Sequence, residues 1–256
     1  VFKVKGSDTV IDSTHAEYAA LAAGVTWTID GAIVVGPSST VAGSMSTPSG
    51  DITVAANSVV TGDLETVLGA ITLGGDATSG GLIANNGAVT LSANAVVNGN
   101  IVADDGNVLL GADCVTGDIV ASAGTITLGN DAHTGSLEST TDDITIAAGA
   151  SVDGQVQAGD DISVGADAIV NGLVIADGAI TFGTDSGSCG YSSGAATTLG
   201  NGYNKPSVKP SSAVCAANAL VDCASLSGTK SCNTYTTPVA AGLVAGKAGG
   251  DPHFKT

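Results

Sequence analysis

Between Gly31 and Phe182 one short pattern is written nine times with small variations, and nothing else in this chain limits its fold so tightly. Counted from two residues before a recurring Ile or Val, the copies begin at Gly31, Gly50, Gly69, Gly87, Gly106, Gly124, Asp142, Asp160 and Gly178. Successive starts lie 19, 19, 18, 19, 18, 18, 18 and 18 residues apart. One such copy cannot bury its own apolar side, so the period implies a solenoid in which stacking closes the core.

Read as columns, the copies show what each coil specifies. Ile33, Ile52, Ile71, Val89, Val108, Ile126, Ile144, Ile162 and Ile180 form the first column. Two residues later come Val35, Val54, Leu73, Leu91, Leu110, Leu128, Ile146, Val164 and Phe182. A spacing of two is strand alternation. Beyond a turn, Val41, Val60, Thr78, Val97, Val115, His133, Val152 and Val170 read as a third inward column, followed by a Gly column. Met45, Leu64, Leu82, Ile101, Ile119, Leu137, Val156 and Val174 form a fourth. Three short strands per coil, joined at Gly and Asx corners, predict an all-β chain wound as a parallel β-helix of triangular section with 18-19-residue coils. With strands ~4.8 Å apart, eight complete coils would stack to about 40 Å. Parallel crossovers are right-handed by default, and the coil is expected to be so.

The phrases GDITVAANSVVTGDL, GNVLLGADCVTGDIVA and DDISVGADAIVNGLVIA resemble the repeats of bactofilins, which are polymer-forming β-helix proteins. They are also similar to the closing repeats of secreted ice-binding β-helices. The resemblance covers the middle three fifths of the chain and is specific for coil shape, since any small-residue β-helix converges on it.

Charge and composition exclude several classes of partner. The chain has no Arg and no Lys between Lys5 and Lys205, while residues 31–182 carry 17 of its 24 acidic side chains. A surface of one negative sign argues against nucleic acid and anionic membranes, and it would attract cations. No aromatic lies between Trp27 and Phe182, which argues against stacking platforms for bases or sugars. No apolar run approaches the ~20 residues of a membrane span. Val1 in the first position is what a processed product would show. There is no Asn-x-Ser/Thr acceptor. Cys189, Cys215, Cys223 and Cys232 cluster in the C-terminal part, an even number compatible with two disulfides in any of three pairings. Together these features predict a secreted or cell-surface protein.

Outside the repeats, residues 1–30 read as a strand over Val1, Phe2, Lys3, Val4 and Lys5 followed by a helix at about 14–23, opened by the capping-box spacing Thr14-His15-Ala16-Glu17. Two roles stay open: a cap over the exposed end of the solenoid, or a strand donated to a neighbouring copy. Residues 183–256 lose the period and read as an irregular, cystine-stapled segment, with Ser211 or Ser212 capping a helix over Ala213–Ser225. The closing Gly250-Asp251-Pro252-His253-Phe254 resembles the opening of von Willebrand factor type D domains. That resemblance implies a longer precursor with a cleavage point at Asp251 and Pro252.

Three features within the coils are candidate sites. Thr53, Thr72, Thr90, Thr127, Thr145 and Thr181 form an outward rank, joined by Ser163 and interrupted by Leu109. Such a rank suits ice contact, and Thr is also simply a good outward strand residue. Asp76, Asp113, Asp131 and Asp167 belong to an Asx corner column, where the side chain serves the turn. Neighbouring carboxylates there could share calcium, although no calcium-loop motif is present. Cys114 and His133 read as inward substitutions, a small buried hydrophobe and a hydrogen-bonded core histidine. His15, His133 and His253 lie in three different segments and no nucleophile, acid and base recur together, so no catalytic residue is assigned and the chain is not expected to be an enzyme. The leading expectation is a self-assembling extracellular filament, surface hair or adhesive-fibre subunit, joined end to end or by strand exchange. The alternatives are an ice-binding protein using the Thr rank and, behind it, a cation-binding surface matrix protein.

Overall fold

A triangular coil must turn sharply within two or three residues at each corner, and one corner does so through the left-handed region. Asn57, Asp76, Asn94, Asp113, Asp131, Asp167 and Asp185 all have φ between 55° and 61°. Asn and Asp tolerate that conformation because their short polar side chains bond locally, and Gly149, at φ 71°, fills the same place without a side chain. The Asx column is therefore a backbone requirement repeated once per coil.

The structure, a computed structural model, describes residues 2–5, 9–11, 26–204, 210–211, 214–215 and 231–234. It divides into two compact units, Val1–Thr125 and Ile126–Thr256, and the described residues of each are built on an all-β parallel solenoid. In the first unit, one face stacks Thr9–Ile11, Ile33–Val35, Ile52–Val54, Ile71–Leu73, Val89–Leu91 and Val108–Leu110. Their registers place Ile33, Ile52, Ile71, Val89 and Val108 in one buried row. A second face carries the two-residue strands Thr40–Val41, Val59–Val60, Thr78–Ser79 and Val96–Val97. The third face stacks Phe2–Lys5, Thr26–Asp30, Ser44–Thr47, Leu64–Thr66, Leu82–Ala84, Ile101–Asp105 and Ile119–Ala123, with Met45, Leu64, Leu82, Ile101 and Ile119 inside. Each such Ile or Leu, fully withdrawn from water, contributes roughly 1.5–3 kcal/mol.

The second unit repeats the plan. Its first face runs Ile126–Leu128, Ile144–Ile146, Ile162–Val164, Ile180–Phe182 and Thr197–Thr198. Leu137–Ser139, Val156–Ala158, Ile169–Ala176 and Gly187–Ser193 form its third face. Here coiling runs past Phe182, where the written repeat stops. Thr197–Thr198 pairs parallel with Ile180–Phe182, and Gly187–Ser193 pairs parallel with Ile169–Ala176. Asp185 supplies the left-handed corner, 18 residues after Asp167. At this last coil Phe182, Tyr191 and Tyr203 close the interior, with ring centroids 4.6–6.1 Å apart. Ser231–Thr234 then pairs antiparallel along Gly187–Ser193.

One column needs correction. The inward residue lies three after the left-handed corner in every coil, which makes it Ser79, Thr116 and Thr134 where Thr78, Val115 and His133 were expected. Those three expected core residues face outward, His133 with 47% of its side chain exposed. The buried Ser79 and Thr116 hydroxyls donate to the Gly80 and Gly117 carbonyls at 3.2 and 3.0 Å. Those two hydroxyls are satisfied locally, whereas the buried Thr134 hydroxyl has no hydrogen-bond partner among the described residues.

Phe2–Lys5 pairs parallel with Thr26–Asp30 of its own chain. The helix expected at 14–23 lies outside the described residues. So does the helix over Ala213–Ser225 except for Val214 and Cys215, where Ser211 acts as the cap: Val214 N–H donates to Ser211 Oγ at 3.2 Å and Cys215 N–H to Ser211 O at 2.9 Å.

Candidate functional site

What the coils offer to a partner is set by which side chains alternate outward. On the first face of the first unit Thr53, Thr72 and Thr90 stand side by side in register, followed by Leu109, which is 47% exposed. In the second unit Thr127 pairs with Thr145 and Ser163 with Thr181. The threonine rank is thus a real surface feature within each unit.

Corner carboxylates behave differently. Asp51 Oδ1 accepts from Ala70 N–H at 2.8 Å, Asp143 Oδ1 from Asp161 N–H at 2.9 Å, and Asp161 Oδ1 from Ala179 N–H at 2.6 Å. At another corner Asp63 Oδ1 accepts from Gly81 N–H at 2.6 Å and Asn100 Oδ1 from Asp118 N–H at 3.0 Å. Each bond reaches from one coil to the same corner of the next, so these Asp and Asn residues tie coils together. Charged acceptors make the stronger of such bonds. The signal was visible as a recurring Asp or Asn one residue before the first column.

The carboxylates that converge are not those of the left-handed corner. Asp76, Asp113, Asp131 and Asp167 sit at the left-handed corner as turn formers. The only group of three ligand-type side chains among the described residues is Asp143, Asp160 and Asp161, all exposed, with carboxylate oxygens within 4.8 Å of one another. These three could hold a cation, calcium being the hard oxygen-seeking ion that such donors suit. Asp143 and Asp161 each commit one oxygen to the corner ladder.

Like charges so close disfavour full ionisation. Asp161 foremost, then partial desolvation, Asp143 and Asp142, raises the pKa of Asp160 above its ordinary value. A carboxyl whose folded pKa is raised binds more protons in the folded state, so its contribution falls as pH rises through that raised value. Asp160→Asn is therefore expected to raise the melting temperature at neutral pH. The gain should shrink in acid, as the wild-type carboxyl protonates, and in high salt. Thermal melts across pH check this; a gain that grows on acidification contradicts the repulsion.

The remaining sequence candidates separate cleanly. His133 Nε2 lies 3.1 Å from Asp153 Oδ2 on the surface. Cys114 is buried, its thiol donating to Ser92 O at 3.1 Å, and burial above all pushes its pKa up. That is an inert, structural cysteine. Cys189 and Cys215 form a disulfide. Cys232 lies in the strand Ser231–Thr234, while Cys223, Asp251, Pro252, His15 and His253 lie outside the described residues. The disulfide fits an oxidising compartment, and among the described residues no helix is long and apolar enough to cross a membrane. Compared with known protein families, curated proteins and solved structures, the chain matches none. The bactofilin and ice-binding resemblances carry the coil geometry, which the structure shows, and nothing finer.

Proposed function

We propose that this protein is a secreted or cell-surface structural subunit whose copies join end to end into an extracellular filament or fibre. The observation that carries this reading is the placement of Phe2–Lys5 and Thr9–Ile11. Each is the terminal strand of a parallel sheet, with its inner edge paired to Thr26–Asp30 or Ile33–Val35. A terminal strand offers a row of backbone donors and acceptors on its other edge, and a heterologous contact made there repeats without closing. The lysines of the first strand favour an acidic neighbour.

A second reading, ice binding, rests on the in-register Thr53, Thr72 and Thr90. One experiment separates the two. Electron microscopy of the purified chain is expected to show filaments, and deletion of residues 1–12 is expected to abolish them. Monodisperse monomers at high concentration that shape ice crystals, with activity lost on Thr72→Lys and Thr90→Lys, would replace the first reading with the second.

A further inference from the structure

Along the outside of the third face in the first unit, Glu65, Ile83, Val102 and Val120 stand side by side in register. Ile83 is 37% exposed. Glycine at 81 and 99 leaves an open dent of about 340 Å³ beside this row, lined by Asp63, Gly81, Ile83, Gly99, Asn100 and Val102. Acidic groups adjoin it: Asp63 lines the dent and Glu65 stands beside Ile83, both exposed. In the second unit a comparable outward apolar pair does not meet water. Leu173 and Ile175 are 2% and 5% exposed and cluster with Cys189 and Cys215, so chain arriving from beyond Asn204 covers them.

We propose that the dent on the first unit docks the segment Lys205-Pro206-Ser207-Val208-Lys209 of a second copy of this chain. The charge pattern selects this occupant. No cation exists between Lys5 and Lys205, so a second solenoid face would bring only acid against acid. The lysines at 3 and 5 lie on the terminal strand that the end-to-end joint uses. Lys205 and Lys209 are the next cations, flank the apolar Val208, and lie between the described Asn204 and Pro210. A lysine lays its aliphatic stem on apolar surface and keeps its ammonium at a polar edge. Ile83 and Val102 offer the surface, and the Asp63 carboxylate, which accepts from Gly81 N–H through Oδ1, retains acceptor capacity for an ammonium. Pro206 has no N–H, so the segment is suited to side-chain contact rather than to lengthening a strand ladder. Dent and segment occupy different parts of the chain, which makes the contact heterologous and side-on, in addition to the end-to-end joint.

The test titrates a fluorescein-labelled peptide of residues 203–211 with the full chain at about 50 mM salt, where screening is weak. Saturable binding is expected, at least about tenfold weaker for the Ile83→Ser/Val102→Ser/Val120→Ser chain and for Glu65→Lys, which leaves the apolar row intact. Unchanged thermal melts identify both variants as folded. In the full chain, Lys205→Glu/Lys209→Glu should reduce self-association in sedimentation velocity. Absence of saturable binding below about 1 mM, equal affinity for polylysine, or indifference to the variants overturns the proposal. Filament formation is read separately by microscopy, so failure here leaves the end-to-end reading standing.

Discussion

Gly87→Val should cost the protein about 3 kcal/mol or more, enough to lower the melting temperature by about 6–12 °C in a chain of this size. Gly87 opens a coil at a corner where coils stack glycine upon glycine. A side-chain carbon there would run into the carbonyl group of Gly69 and sit 3.0 Å from Ala70 N. The obstacle is backbone, which cannot swing aside as a flexible side chain would. Its backbone conformation is ordinary, so the expected loss is steric. Gly69 and Gly106 meet the same obstruction from the coil before them. Gly75→Ala is the matched control, because its added carbon meets only Ala93 O at 3.4 Å. It should be neutral or slightly stabilising through reduced freedom of the unfolded chain. Melts followed by circular dichroism compare the two, and equal losses would contradict the stacking argument.

Replacing Cys189 and Cys215 together by Ser should destabilise the second unit by about 3 kcal/mol, since the disulfide closes a loop of sequence separation 26. The larger consequence is local. The bridge holds Cys215 against Leu173 and Ile175, so its loss should expose that cluster to solvent. Increased binding of an environment-sensitive dye and faster proteolysis after Asn204 are expected, together with unchanged amide exchange in the first unit. Exchange that accelerates equally in both units would show that the bridge acts on the whole chain.

Much of the architecture was legible because period-2 alternation and an 18–19-residue spacing coincide at Ile33, Ile52 and Ile71 and their successors. Where the two cues conflict, apolarity misled. Val115 and His133 look like members of an inward column, yet the fixed count from the left-handed corner places Thr116 and Thr134 inside. Asp113 and Asp131 mark that corner and were the better guide. The coil containing Gly187–Ser193 was missed because Ser186, Ser188 and Ser193 take positions that earlier coils fill with Ala or Val. Ser188 Oγ lies 2.8 Å from Tyr203 Oη, and Ser193 Oγ donates to Gly178 O at 2.9 Å, so these hydroxyls are accommodated by partners that a column of letters does not display. The cluster of Asp143, Asp160 and Asp161 was hidden for a related reason. Its members occupy two adjacent corner positions on successive coils, so they converge across the stack and not along the chain.

Within each unit, nearly every strand finds its partner 18 or 19 residues away, as Ile52 does with Ile33 and Ile162 with Ile144. Contacts of such short sequence range carry little loop-closure cost, and low contact order favours rapid, sequential folding. At a synthesis rate of 5–20 residues per second, one coil's length of chain emerges in about 1–4 s. Each newly made turn can therefore lock onto its predecessor before the next has been translated, leaving little bare β edge open to wrong neighbours during biogenesis.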